Sequence, residues 1–200
     1  AFRRVVLCSV VPWAAEEISS FMKRAELIHV RPENVNEVDF SEYPGCSTLG
    51  ADRVANVLAA VRHAPLPIVA VDMGTATTFD VVVQGAAGPK FAGGIIAPGL
   101  SAVAGCLPRC TAQLPSVNLN IEGPVIGRNT EEAMASAVCV GYPGMMDSLL
   151  DAIETELGEL VNVIITGGDA AGLAPAMRHM STLVPSLTLE GIAQVAHISL

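Results

Sequence analysis

The chain has 200 residues, 51% apolar and 16% charged, enough for one large domain or two small ones and far from the composition of disordered chains. Eleven Lys and Arg against twenty Asp and Glu give a net charge of -9, which excludes a polyanion-binding surface, because phosphate backbones are held by clustered cations. Nucleic acid is therefore not an expected partner, and an anionic small molecule must be met by local cations, backbone N–H groups or metal ions.

No stretch reaches the ~18 uninterrupted apolar residues of a membrane-spanning helix. The most apolar segment, Leu66 to Leu107, is broken by Asp72, Asp80, Lys90 and several glycines. The apolar run after Arg3-Arg4 is too short for a signal-peptide core, so no membrane partner and a cytoplasmic location are expected. Five cysteines at irregular spacing do not make a secreted disulfide framework; reduced, mostly buried thiols are the expectation.

In chain order, Val5 to Val11 reads as a strand stopped by Pro12, Trp13 to Arg24 as a helix with Ile18, Phe21 and Met22 on one side, and Leu27 to Val30 as a strand. Arg31 to Thr48 is polar and loop-like, and Asp52 to His63 is an amphipathic helix through Val54, Val57, Leu58 and Val61. After Pro65 and Pro67 the pattern changes. Ile68 to Val71, Phe79 to Val83 and Phe91 to Ile96 predict a three-strand meander, followed by a short helix over Pro98 to Leu107. A long helix over Asn129 to Glu156 precedes a strand at Val161 to Ile165, a Gly167-Gly168 turn into another helix, and a closing segment from Leu187 to Val195. Three strands, helix, strand, helix is the order of an actin-like ATPase half-domain. The predicted fold is α/β, with the remainder of a first ATPase-like domain in residues 1–65 and a second in residues 66–200.

Two segments carry chemistry. In Tyr43-Pro44-Gly45-Cys46-Ser47-Thr48-Leu49-Gly50-Ala51-Asp52-Arg53, a turn-rich loop enters a helix. Asp52 there reads as a plain N-cap or as an acceptor of a substrate hydroxyl proton, and Arg53 as a fork for a carboxylate. In Asp72-Met73-Gly74-Thr75-Ala76-Thr77-Thr78-Phe79-Asp80, short side chains and a glycine let backbone N–H groups and hydroxyls converge on an oxyanion, unless the segment is only a hairpin. The Asp72 carboxylate ends a buried strand and suits a hard metal ion. Asn129 and Glu132 fit an N-capping pattern beside Thr130, and the four histidines share no metal or triad spacing.

Taken with Gly93-Gly94-Ile95-Ile96-Ala97-Pro98-Gly99, the Thr111 to Pro115 segment, Asn129-Thr130 and Thr166-Gly167-Gly168, these motifs resemble, in order and spacing, type III pantothenate kinase. The resemblance runs from Ser9-Val10-Val11-Pro12 to Leu187-Thr188-Leu189-Glu190-Gly191. It implies the acetate and sugar kinase, heat-shock protein and actin superfamily, with ribonuclease H-like half-domains, a homodimer, and transfer of the ATP γ-phosphate to pantothenate in the first step of coenzyme A synthesis. It also implies Asp52 as proton acceptor, Tyr43, Gly50, Ala51, Arg53 and Thr130 as pantothenate-holding positions, and Thr75 as an ATP contact. Asp72 becomes the ligand of a monovalent cation, potassium or ammonium, and magnesium accompanies ATP. The departure is at the start: the family's opening strand and Asp-x-Gly-Asn-Thr-like turn has no counterpart between Ala1 and Pro12. The expectation is a truncated first domain, inactive as these 200 residues alone. The alternatives are a non-catalytic regulatory or binding homologue on the same scaffold, and a kinase for another small acid.

Overall fold

The computed structural model describes residues 3–116 and 125–197. Two parallel strands, β1 (Arg4–Leu7) and β2 (Glu26–His29), flank helix α1 (Pro12–Phe21). Pro12 opens that helix rather than ending a long strand, because its fixed φ and missing N–H suit the first helical turn. The apolar side expected for α1 is not buried: Ile18 is 38% and Phe21 82% exposed, and Met22 is half-buried. The loop to Thr48 contains two short 3-10 turns and leads into α2 (Ala51–Ala60).

The runs after Pro67 form the predicted meander, β3 (Ile68–Met73), β4 (Ala76–Gln84) and β5 (Pro89–Pro98), followed by α3 (Leu100–Cys110). One long helix was expected from Asn129, and two are found, α4 (Thr130–Cys139) and α5 (Gly141–Leu157). The break at Val140 has a local cause: Pro143 has no N–H for the Cys139 carbonyl, and Gly141 adds backbone freedom. Strand β6 (Asn162–Thr166) is followed by α6 (Ala170–Leu173), a three-residue edge strand β7 (Ser181–Leu183) that the sequence pattern did not reveal, and α7 (Leu187–Val195). Strand order in the second sheet is β5-β4-β3-β6-β7, with β3 antiparallel to β4 and parallel to β6. Along the chain, three strands, then helix, strand and helix, come in the order expected from the sequence. Cys8, Cys46 and Cys139 are half-buried and free, while Cys106 and Cys110 on α3 are exposed, contrary to the expectation of mostly buried thiols.

The pleat of β3 sorts the sheet into two faces. Val69, Val71 and Met73 pack on α5 through Tyr142, Met146 and Leu150. Ile68 and Ala70 pack on the other side against Ala59 and Ala60 of α2 and Leu187 of α7. Helix α2 is buried from Val54 to Ala60 and is shared by both halves of the chain, since Val54, Val57 and Leu58 meet Val30, Val38 and Phe40 as well as Val82, Phe91 and Val195. Small residues permit that intimacy. A Cβ on Gly191 of α7 would strike the Ala55 carbonyl of α2. Gly191→Ala is therefore expected to destabilise the protein by about 1–3 kcal/mol, the usual cost of overpacking; an unchanged thermal midpoint would contradict this seating of α7.

Candidate active site

On the α2 side of the sheet, strand alternation that buries Ile68 and Ala70 also aims Asp72 toward α2, and Thr78 and Asp80 follow because they pair with Asp72 and Ala70. Opposite them the first turns of α2 present Asp52, Arg53 and Asn56. One polar patch thus interrupts an otherwise apolar interface, and every member has a partner or a reason to need one.

Arg53 and Asp80 dominate the patch. The guanidinium donates from Nε to Asp80 Oδ1 at 2.8 Å and its Nη2 stands 2.6 Å from the same oxygen as an ion-pair contact, with the two side chains 11% and 0% exposed. Nη1 and the second Nη2 proton remain, so the fork expected to grip a carboxylate is partly committed to Asp80. Phe91 lies under the guanidinium at 6.0 Å, and Tyr43 packs edge-on against Phe91 with centroids 5.0 Å apart. Gly94 makes room: a Cβ there would meet the Phe79 carbonyl and come within 2.7 Å of Arg53 Nη2. Its neighbour Gly93, at φ +130°, turns the bulge of β5 opposite Val81 and Val82. The Gly93-Gly94 pair therefore serves the strand and the ion pair.

The structure removes one reading of Asp52, that of the N-cap. Gly50 is the N-cap, and Asp52 stands one residue inside the helix, where its Oδ1 accepts the Arg53 N–H at 2.8 Å. It is not a cap. Gly50 supplies no capping side chain, so the helix start, with its N–H groups and positive dipole end, opens toward a cleft. A Cβ at Gly50 would stand 2.5 Å from Asp52 Oδ1. The adjoining cleft, about 1100 Å³, lies between Ser9-Val10, α1 and the Cys46–Ala51 segment. Burial, and then the nearby Asp52 charge, pushes the Cys8 thiol up to about 11, so it stays protonated at neutral pH.

Asp72 accepts a 2.9 Å hydrogen bond from Asn56 Nδ2, and the Asn56 amide is turned that way by Thr188 of α7, which donates to Asn56 Oδ1 at 2.7 Å. Desolvation raises the Asp72 pKa, the Asn56 bond opposes it, and Asp52 adds to the rise. Thr78 Oγ1 and Asp80 Oδ2 are buried without a hydrogen-bond partner among the described residues. The nearby Thr78 hydroxyl nevertheless helps hold the Asp80 carboxyl down, and the carboxylate and hydroxyl oxygens on this face are a donor set that fits a hard cation.

Thr75 is exposed at the β3–β4 turn. That turn is braced from two sides, since a Cβ on Gly99 would strike the Gly74 carbonyl and one on Gly167 the Met73 carbonyl. The neighbouring threonines differ in role: Thr77 is fully buried and bonded to Tyr142 at 2.7 Å, which removes it from any phosphate-binding set. Thr130 is not brought into the patch. It heads α4, which packs on α3 and α5 on the far side of the sheet, and Asn129 caps that helix through the Glu132 N–H. Asn56 was not singled out in the sequence, and Asp80 closed the Asp72 segment without a role, although a charge inside Phe79-Asp80-Val81-Val82 is itself a signal that a partner must exist.

The sequence model of type III pantothenate kinase matches residues 1–152. The chain belongs to the type III pantothenate kinase family. A type III pantothenate kinase of Akkermansia muciniphila is 38% identical over 98% of this chain and 78% of that protein. One of Dehalococcoides mccartyi is 39% identical over 94% and 73%. Among solved structures, a Baf family transcriptional activator from Campylobacter jejuni superposes with a TM-score of 0.67 at 20% identity, over 98% of this chain and 82% of that one, a likeness of fold.

Burial pushes Asp80 up to about 6 against the pull of Arg53. The folded state thus holds this proton to higher pH than the unfolded chain, so the stability that Asp80 contributes is fully present below about pH 4 and is lost as pH rises to about 6. The advantage of the wild type over Asp80→Asn is expected to shrink by roughly 2–3 kcal/mol between about pH 4 and pH 7 in urea unfolding. A gap that widens with pH would contradict this.

Proposed function

We propose that this protein transfers the γ-phosphate of ATP to the primary hydroxyl of pantothenate, giving 4'-phosphopantothenate for coenzyme A synthesis, in the cytoplasm and as a homodimer. The observation that carries the reading is that Gly50 and Ala51 line the cleft at the start of α2, and the next two residues, Asp52 and Arg53, stand over the sheet face that carries Asp72 and Asp80, in a chain of this family.

In this reading the remaining Arg53 N–H groups, with Tyr43 and the backbone of Gly50 and Ala51, hold the pantothenate carboxylate and polar chain. Asp52 accepts the hydroxyl proton as the oxygen attacks the γ-phosphorus and the bond to the ADP oxygen breaks; positioning and charge neutralisation supply most of the acceleration. Thr75 and the braced turn after Asp72 contact ATP, which arrives with magnesium. Asp72, with Thr78 opposite it on β4, holds potassium or ammonium. That cation, when bound, offsets negative charge next to the phosphates. Thr130, on the far side of the sheet, reaches pantothenate from a second copy of the chain.

Coupled ADP release by the intact protein, with pantothenate and potassium each present or omitted, tests the reading: ADP should appear only with pantothenate and rise with potassium. Pantothenate-independent or absent ADP release would overturn it. Asp52→Asn should lower turnover ~10²–10⁴-fold while changing stability by less than about 1 kcal/mol, since an amide oxygen can still accept the Arg53 N–H and only the carboxylate charge at the helix start is lost. Unchanged turnover would remove Asp52 from the chemistry.

A further inference from the structure

Away from the cleft, α5 carries Asp147, Asp151 and Glu154 on one stripe at i, i+4 and i+7. The segment leading into β7 lays Arg178 and His179 across it. Asp147, 2% exposed, accepts the Arg178 N–H at 2.9 Å, the His179 N–H at 3.1 Å and His179 Nδ1 at 2.9 Å. With Nδ1 donating to that fixed carboxylate, Nε2 faces Asp151 Oδ1 at 3.5 Å and Glu154 Oε2 at 3.6 Å. The other oxygen of each carboxylate is already held, Asp151 Oδ2 by Arg178 Nη2 at 2.9 Å and Glu154 Oε1 by the Val161 N–H at 3.1 Å. Three ligand atoms therefore face one another, all within 4.8 Å, and each is oriented from behind by its own partner. A carboxylate behind an imidazole is the arrangement that aims metal-binding histidines.

The spacing fits an ion better than direct hydrogen bonds. Two ligands at ~2.1 Å from a tetrahedral ion stand ~3.4 Å apart, whereas a direct N–H···O bond closes to ~2.9 Å. Three carboxylates and one guanidinium leave two negative charges, the complement of a divalent cation. We propose that His179 Nε2, Asp151 and Glu154 bind one divalent cation of the zinc class, with water in the fourth position on the half-exposed Asp151 side. The ion would clasp α5 to the approach of β7, across the sheet from the Asp52 cleft.

Calorimetric titration of zinc chloride into chelator-stripped intact protein, carrying Cys106→Ser and Cys110→Ser so that exposed thiols do not compete, tests the site. One zinc per chain is expected to bind, with magnesium failing to replace it. Binding should weaken at least ~10-fold in His179→Gln and in Glu154→Gln; the latter keeps an acceptor for Val161 and so guards against a folding defect. Cobalt should give the visible absorption of a tetrahedral site in the parent and lose it in His179→Gln, and zinc should raise the thermal midpoint of the parent alone. No zinc binding at about 100 μM, leaving His179 as a plain ion-pair partner, or binding equal in both variants, would overturn the proposal.

Discussion

The buried contact between Arg53 and Asp80 is the constraint around which the candidate site is arranged. Taking a guanidinium and a carboxylate out of water is costly, and leaving either alone would cost about 3–5 kcal/mol, so α2 and β4 must meet where these side chains meet. That single contact sets the azimuth of the α2 first turn over the sheet. Asp52 and Gly50, one and three residues before Arg53, are carried with it to the start of the helix beside the cleft, and Asn56, one turn later, is carried to Asp72. The same contact explains features that would otherwise look incidental, including Gly94 beneath the guanidinium and Phe91 at its face.

A polar start and an apolar remainder divide α2 into two jobs. From Val54 onward it is packed against the sheet and α7, which gives the helix a rigid seat. The seat is exact enough for Thr188 of α7 to orient the Asn56 amide, so that a residue near the end of the chain governs the surroundings of Asp72. Precision at the cleft is thus derived from close packing some distance behind it, as sites on regular elements generally require.

Local patterns made much of this legible. Period-two runs separated by glycine turns gave away the meander, and the polar loop entering an apolar helix marked Asp52 and Arg53. Asp72 stood out because a carboxylate ended a buried run. What stayed hidden depended on residues far apart in the chain: Asp80 becomes intelligible only once Arg53, 27 positions earlier, is folded onto it. His179 and Asp147 are separated by 32 positions, so no spacing rule could join them. The break at Val140 was missed because helical periodicity continues through it while Pro143 ends the hydrogen bonding, and β7 is too short to show a period. The unburied apolar side of α1 shows the opposite failure, in which a clear amphipathic pattern does not by itself say what the apolar face meets.

If Asp80 bears on the substrate only by holding Arg53, the two residues form one unit. A double-mutant cycle on pantothenate KM, with Asp80→Asn, Arg53→Ala and the pair, measures this directly. Each single change should raise KM, and the double variant should be no worse than Arg53→Ala alone, a coupling above about 1 kcal/mol. Effects that simply add would mean that Asp80 and Arg53 act independently, and the arrangement of the site around their contact would be wrong.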